Sequence, residues 1–314
     1  MTRFVLRRLL QSGVVLLGVT LVVFLLLQLV PGDPVRVALG TRFDPETYEA
    51  LRSRAGLDQP LPVQYANYVG HAVTGDLGVS FRSGRPVTAI VLERLPATLS
   101  LAITAVVFAL LVSFPLGVLS ALRSGSVFDH AARVFSQFGV SVPDFWMGIM
   151  GILLFAGVLG WFPPSGYVAL TEDPVGWASH VFLPAVTVGL VTASILTRFI
   201  RSSVLEVLAE DYVRTAEAKG LPTRVVVVRH VLRNALIPVV TVVAVQLASL
   251  LGGVIVIEVL FAWPGVGRLT YDAVQARDYP VLQGAVLLVA ALFLLVNLLV
   301  DLLYARLDPR IRVR

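Results

Sequence analysis

The sequence predicts an all-α integral membrane protein with about six transmembrane helices. Composition points there first, because 57% of the 314 residues are hydrophobic and 14% are charged, whereas soluble domains carry roughly 25% charge. Mean hydropathy is +0.84. The apolar residues also gather into stretches of membrane-crossing length. A helix rising 1.5 Å per residue needs about 20 apolar residues to cross the hydrocarbon, with every backbone polar group satisfied inside the segment.

The first stretch, 9–30, follows Arg3, Arg7 and Arg8. It exceeds a signal-peptide core in length and is followed by no A-x-A cleavage site, so residues 1–30 are expected to be a retained anchor with a cytoplasmic N-terminus. Residues 31–96 mix acids with arginines, open on the turn-prone Pro31-Gly32-Asp33-Pro34 and contain a helix-like Pro45 to Arg54; they are expected to form a small external subdomain. Further stretches at 97–122, 135–159, 180–200, 236–257 and 281–304 make a five-helix core over 97–305, ahead of a tail at 306–314. The 180–200 stretch is the most polar, with Pro184, Thr187, Thr192, Ser194 and Thr197. The cytoplasmic stretch 201–235 reads as two short helices broken at Gly220 to Pro222. This topology puts most of the 25 lysines and arginines inside and leaves the loop 160–179 with none, as the positive-inside rule requires. The C-terminus is then cytoplasmic too.

The chemistry the chain lacks is as informative. Lys219, the single lysine, is followed by Gly220 and Leu221, so there is no G-x-x-x-x-G-K-[ST] phosphate loop. Cysteine is absent, which removes disulfides, thiolate metal sites and thiol nucleophiles. The four histidines, His71, His130, His180 and His230, fall in different segments with no metal-ligand spacing. Net charge is +5, but the basic residues form no stripe with interleaved aromatics, so no nucleic-acid partner is expected.

Asp144 is the one clear mid-span acid. Ionisable groups inside spans commonly mark ion or substrate paths, although a helix beginning near Pro143 would make Asp144 a first-turn capping residue instead. Pro143, Asp144, Gln246, Ser249, Gly252 and Gly253 are the candidate translocation path. The small residues among them serve close helix packing as readily as pore lining. In the cytoplasmic stretch, Glu206, Glu210, Asp211, Arg214, Glu217 and Lys219 set mixed charge around a small apolar face of Ala216, Ala218 and Leu221. That pattern suits either a docking helix or a solvated loop.

Residues 211–238 resemble the cytoplasmic loop of binding-protein-dependent ABC importer permeases. The family pattern E-A-A-x-x-x-G reads here Arg214, Thr215, Ala216 and then Gly220, with Arg and Thr in place of Glu and Ala. The proline comes late, at Pro238. Both departures are shared with the peptide and nickel branch, whose loops resemble D-Y-V-R-T-A-x-A-K-G-L followed by L-R-N-A-L-I-P. Pro31 to Pro34, Gly75 to Ser80, Ser141 to Gly148, Arg277 to Gly284 and Asn297 to Arg312 resemble further motifs of that branch, in the same order.

The resemblance implies a type I ABC importer permease fold, of the kind with a long external segment after the first span, in a bacterial inner membrane. It implies a non-catalytic translocation subunit for dipeptides or oligopeptides. The stretch Arg214, Thr215, Ala216, Glu217, Ala218, Lys219 and Gly220 would couple it to an ATPase. No cofactor is expected in this chain, ATP and Mg being used by partner subunits. The implied partners are a second homologous permease, two ATP-binding subunits, an external peptide-binding protein, the peptide and membrane lipid. A nickel-chelate permease is the alternative within the family. An ion-coupled secondary transporter or an intramembrane enzyme would be alternatives from other classes.

Overall fold

The computed structural model describes residues 2–40, 44–54 and 56–307. The end of the predicted Asn297 to Arg312 motif and the tail beyond residue 307 lie outside them. Helices α1 (Thr2–Gln28), α2 (Pro34–Leu39), α3 (Pro45–Arg54) and α4 (Leu61–Val73) precede the long α5 (Val87–Leu122). Next come α6 (Val127–Ser141), α7 (Asp144–Val158), α8 (Pro174–Leu208) and α9 (Asp211–Ala218). The chain continues through α10 (Thr223–Gly252), α11 (Ile255–Leu260), α12 (Val266–Ala276) and α13 (Tyr279–Leu307). Among the described residues the remaining regular pairing is an isolated bridge, Val79 to Pro86.

Five helices, α1, α5, α8, α10 and α13, are long and apolar enough to cross a membrane; α6 and α7 make a sixth span if taken together, but they meet at 100°. The predicted straight span at 135–159 is therefore broken. Pro143 offers no N–H and disfavours helical geometry at the residue before it, and Val142 is extended at φ −91° and ψ 128°.

Two other boundaries differ from the sequence expectation. Helix α5 starts at Val87 rather than at Ala97, because Val87 and Val91 are buried with Ala273 and Val281 and so gain from helical order despite Glu93, Arg94 and Pro96. Helix α10 starts at Thr223, with a π-helical stretch over Val226–Leu232. The second short helix expected after Pro222 is thus the first turns of the fifth span.

The chain divides into two compact units. The first comprises Met1–Leu99 with Leu251–Leu298. Asp33 caps α2 here, its carboxylate accepting from the N–H groups of Val35 (2.9 Å) and Arg36 (3.1 Å), the Tyr48 hydroxyl (2.6 Å) and Arg52 Nη1 (3.0 Å). Burial raises the Asp33 pKa, but the Tyr48 and backbone donors together with the Arg52 charge outweigh it, and the carboxyl sits below its ordinary value.

The motifs at 75–80 and 277–284 meet in this unit. Asp278, 4% exposed, accepts from Ser80 Oγ (2.5 Å) and the Phe81 N–H (3.1 Å). Arg277 Nη1 donates to the Pro31 carbonyl at 2.8 Å, which brings the Pro31 to Pro34 motif to the same place.

The second unit comprises Ser100–Leu250 with Leu299–Arg314. Glycines let its helices approach closely: a Cβ at Gly139 would fall 2.0 Å from Ser194 Oγ, and one at Gly189 would fall 2.7 Å from the Phe108 ring. One buried ion pair braces it. Asp129, 1% exposed, accepts from Arg201 Nε (2.7 Å) and Nη2 (3.0 Å), from Ser120 Oγ (2.6 Å) and from the Gly125 N–H (3.0 Å).

Candidate coupling and translocation sites

Helix α9 is short, and its two ends are defined by backbone geometry. At its C-terminus the Gly220 N–H donates to the Glu217 carbonyl (2.9 Å) and the Leu221 N–H to the Ala216 carbonyl (3.4 Å), with Gly220 at φ +74°. This is the six-to-one and five-to-two pairing of a Schellman motif, with glycine in the left-handed position. Pro222 then caps the start of α10.

Val213 and Ala216, three residues apart, form the buried face of α9, in a cluster with Val204 of α8 and Val226, Val231, Ala235 and Val239 of α10. Ala218 and Leu221, expected on that face, are exposed. Arg214, Thr215, Glu217, Lys219 and Gly220 are exposed as well. Arg214 reaches back one turn, its Nη1 3.6 Å from Asp211 Oδ1, rather than forward to Glu217.

One polar tie fastens this small helix to a span, and a second joins the two spans beneath it. Asn234 Nδ2 donates to the Tyr212 hydroxyl at 2.9 Å, and Ser203 Oγ donates to the Ala235 carbonyl at 2.7 Å, joining α8 to α10. The result is an exposed polar ridge on an apolar seat.

Among the described residues no hydrogen bond gathers the candidate path residues. Asp144 is half-buried at the first position of α7, its Oδ1 accepting the Phe145 N–H at 2.7 Å, and exposed Pro143 precedes it as the cap residue. This is the first-turn geometry that the alternative reading allowed. On α10, Gln246 is half-buried and Ser249 exposed. A Cβ on Gly252 would lie 3.4 Å from Val289 Cγ1, ordinary packing distance, and Gly253 follows at the helix end.

Sequence reasoning missed the most enclosed acid of the first unit. Glu258, 1% exposed in α11, accepts from Thr98 Oγ1 (2.8 Å) and from the Arg268 N–H (2.8 Å). Thr98 Oγ1 in turn accepts from the Val266 N–H, and Trp263 Nε1 donates to the Ala97 carbonyl, both at 2.8 Å. A Cβ at Gly265 would fall 2.0 Å from Glu258 Oε1, so a side chain there would displace the carboxylate. The signal was the run from Glu258 through Trp263-Pro264-Gly265 to Gly267, a charged residue followed by tight-turn residues.

Among the described residues the architecture is helical, with five helices long and apolar enough to cross a membrane, a sixth span if α6 and α7 are taken together, and a small charged helix seated between two of them, which is the arrangement of a multi-pass membrane protein. The comparisons agree. The family model described as binding-protein-dependent transport system inner membrane component matches residues 113–313, and the model for the N-terminal part of such membrane components matches residues 1–102. The chain belongs to this family and is a multi-pass inner membrane protein.

Its sequence is 43% identical to the dipeptide transport system permease protein DppB of Escherichia coli strain K12, over 99% of each chain. It is 44% identical to the di/tripeptide transport system permease protein DppB of Pseudomonas aeruginosa, again over 99% of each. The DppB of Alkalihalophilus pseudofirmus is 41% identical over 99% of this chain and 100% of that one. Among solved structures, a chain of the MetNI methionine ABC transporter, in inward-facing conformations, superposes with a TM-score of 0.58 at 17% identity over 70% of this chain and 96% of that one. That likeness places the fold among ABC importer permeases.

Proposed function

We propose that the chain is the membrane-spanning translocation subunit of an ATP-driven importer of dipeptides or oligopeptides. The observation that carries this reading is the end-to-end identity of 43% to a dipeptide permease. Neither a nickel-chelate cargo nor an ion-coupled carrier has support among the relatives named above. In this reading ATP hydrolysis belongs to two partner subunits, a second permease completes the pathway, and an external binding protein delivers the peptide. The N- and C-termini face the cytoplasm, and residues 31–96 face outward. The ridge from Arg214 to Gly220 receives the movement of an ATPase subunit and passes it through Val213 and Ala216 into α8 and α10. No residue of this chain performs chemistry.

Vesicles containing the chain with its partner permease and ATPase subunits should accumulate labelled dipeptide only when binding protein and ATP are both supplied, and the isolated chain should hydrolyse no ATP. Uptake driven by an ion gradient in the absence of ATP would overturn the reading. Asp144 belongs to the path in this proposal. A cysteine placed at 144 in this cysteine-free chain should react with a water-soluble thiol reagent faster than one at Ile152; equal, negligible labelling would remove Asp144 from the path.

A further inference from the structure

The second unit holds a hollow of about 340 Å³ between α6 and α8 that the transport reading does not use. Arg133, Arg198 and Arg201 line it together with Ser136 and Ser202. Among the described residues the carboxylate paired with these guanidiniums is Asp129. Its oxygens are already occupied by Arg201, Ser120 and the Gly125 N–H, and Arg133 Nε stands off at 3.8 Å. Among the described residues Arg198 has neither an ion pair nor a hydrogen bond through its side chain. One carboxylate against three arginines leaves the hollow with an excess of positive charge.

Ser136 supplies a separate sign of a ligand. It is 6% exposed and lines the hollow, and its hydroxyl, which has no hydrogen-bond partner among the described residues, is open to it. Guanidiniums converging with hydroxyl donors are the chemistry of phosphate recognition. Apolar side chains stand beside the lining residues in sequence: Val134 after Arg133, Phe138 after Gln137 and Phe199 after Arg198 are 69%, 59% and 46% exposed. A ligand with a phosphate head and hydrocarbon tails satisfies both halves of the surface.

We propose that this hollow binds the phosphate of an anionic membrane phospholipid, whose acyl chains lie along Val134, Phe138 and Phe199. Inorganic phosphate offers the same head-group chemistry without the tails, so the experiment separates the two sources. The assembled transporter is equilibrated in vesicles of phosphatidylcholine with a minority of phosphatidylglycerol, extracted in mild detergent, and its retained lipid measured by mass spectrometry.

An arginine beside an anionic lipid surface contributes enough to change retention about fivefold. Arg198→Gln is expected to lower retained phosphatidylglycerol by about that factor, and adding Ser136→Ala to lower it further. Arg123→Gln, a nearby exposed arginine outside the hollow, should leave it unchanged. Excess inorganic phosphate should not displace the lipid. Arg198 is exposed, so its loss does not threaten folding, and co-purification of the partner subunits with each variant verifies assembly. Three results would overturn the proposal: equal loss with Arg123→Gln, which means general surface attraction; displacement by inorganic phosphate, which means a free-anion site; and unchanged retention in Arg198→Gln, which means another chain fills the hollow.

Discussion

Helix α9 and the turn from Glu258 to Arg268 solve opposite problems with the same kind of residue. In α9 the charged side chains point outward, and the shape comes from the backbone: a Schellman ending at Gly220 and a seat of Val213 and Ala216. In the 258–268 turn the charge points inward, and Glu258 gathers the Thr98 hydroxyl and the Arg268 N–H around itself. An exposed ridge of this kind can lose a charge and keep its fold. A buried carboxylate with satisfied donors cannot, because its removal strands every donor at once.

The largest expected effect of that contrast lies at the turn. Glu258→Ala strands buried donors and opens a cavity, at a cost of about 3 kcal/mol or more, whereas Glu258→Gln retains an acceptor oxygen and should cost less. Thermal unfolding of the purified transporter reads the difference. An unchanged melting temperature in Glu258→Ala would show that the carboxylate does not organise the turn.

The middle effect lies at α9. A Cβ at Gly220 meets nothing within 4 Å, so the penalty for Gly220→Val is conformational, about 1–2 kcal/mol for an L-residue held at positive φ. The chain should still insert, but ATPase subunits should co-purify poorly and peptide uptake should fall. Wild-type assembly and uptake in Gly220→Val would detach the Schellman ending from coupling.

The smallest effect compares either region with the half-buried cap at Asp33. Its carboxyl is held below its ordinary pKa, so the stability it contributes is complete above the unfolded value of about 3.8 and is lost as pH falls through the folded one. Pepsin cleavage between residues 34 and 58 should therefore rise as pH drops through that window. Asp33→Asn should be cut more readily above the window and show a flatter profile; an identical acid profile in both would mean the cap does not titrate with folding.

The spans were legible because a run of about 20 apolar residues has few other uses. The bend at Val142 and Pro143 was legible only as an alternative, since a proline in an apolar run can either kink a helix or start one. The helical start at Val87 was hidden behind Glu93, Arg94 and Pro96, because what stabilises it is burial with Ala273 and Val281, remote in sequence. Glu258 was missed for the same reason: its partner Thr98 is 160 residues away, and no local period reports such a pairing. The stretch from Arg214 to Gly220 could be found because its signal is local, whereas its apolar seat on Val213 rather than Ala218 needed the neighbouring helices.

The absence of cysteine allows the coupling role to be probed at a single position. A cysteine replacing exposed Glu217, in an assembled transporter whose ATPase subunit carries a cysteine on its membrane-facing surface, should cross-link to that subunit under mild oxidation, while one replacing Glu172 in the 160–173 loop should not. Cross-linking at 217 that changes with nucleotide is the result the account predicts. Cross-linking at 172 and not at 217 would place the ATPase elsewhere and contradict it.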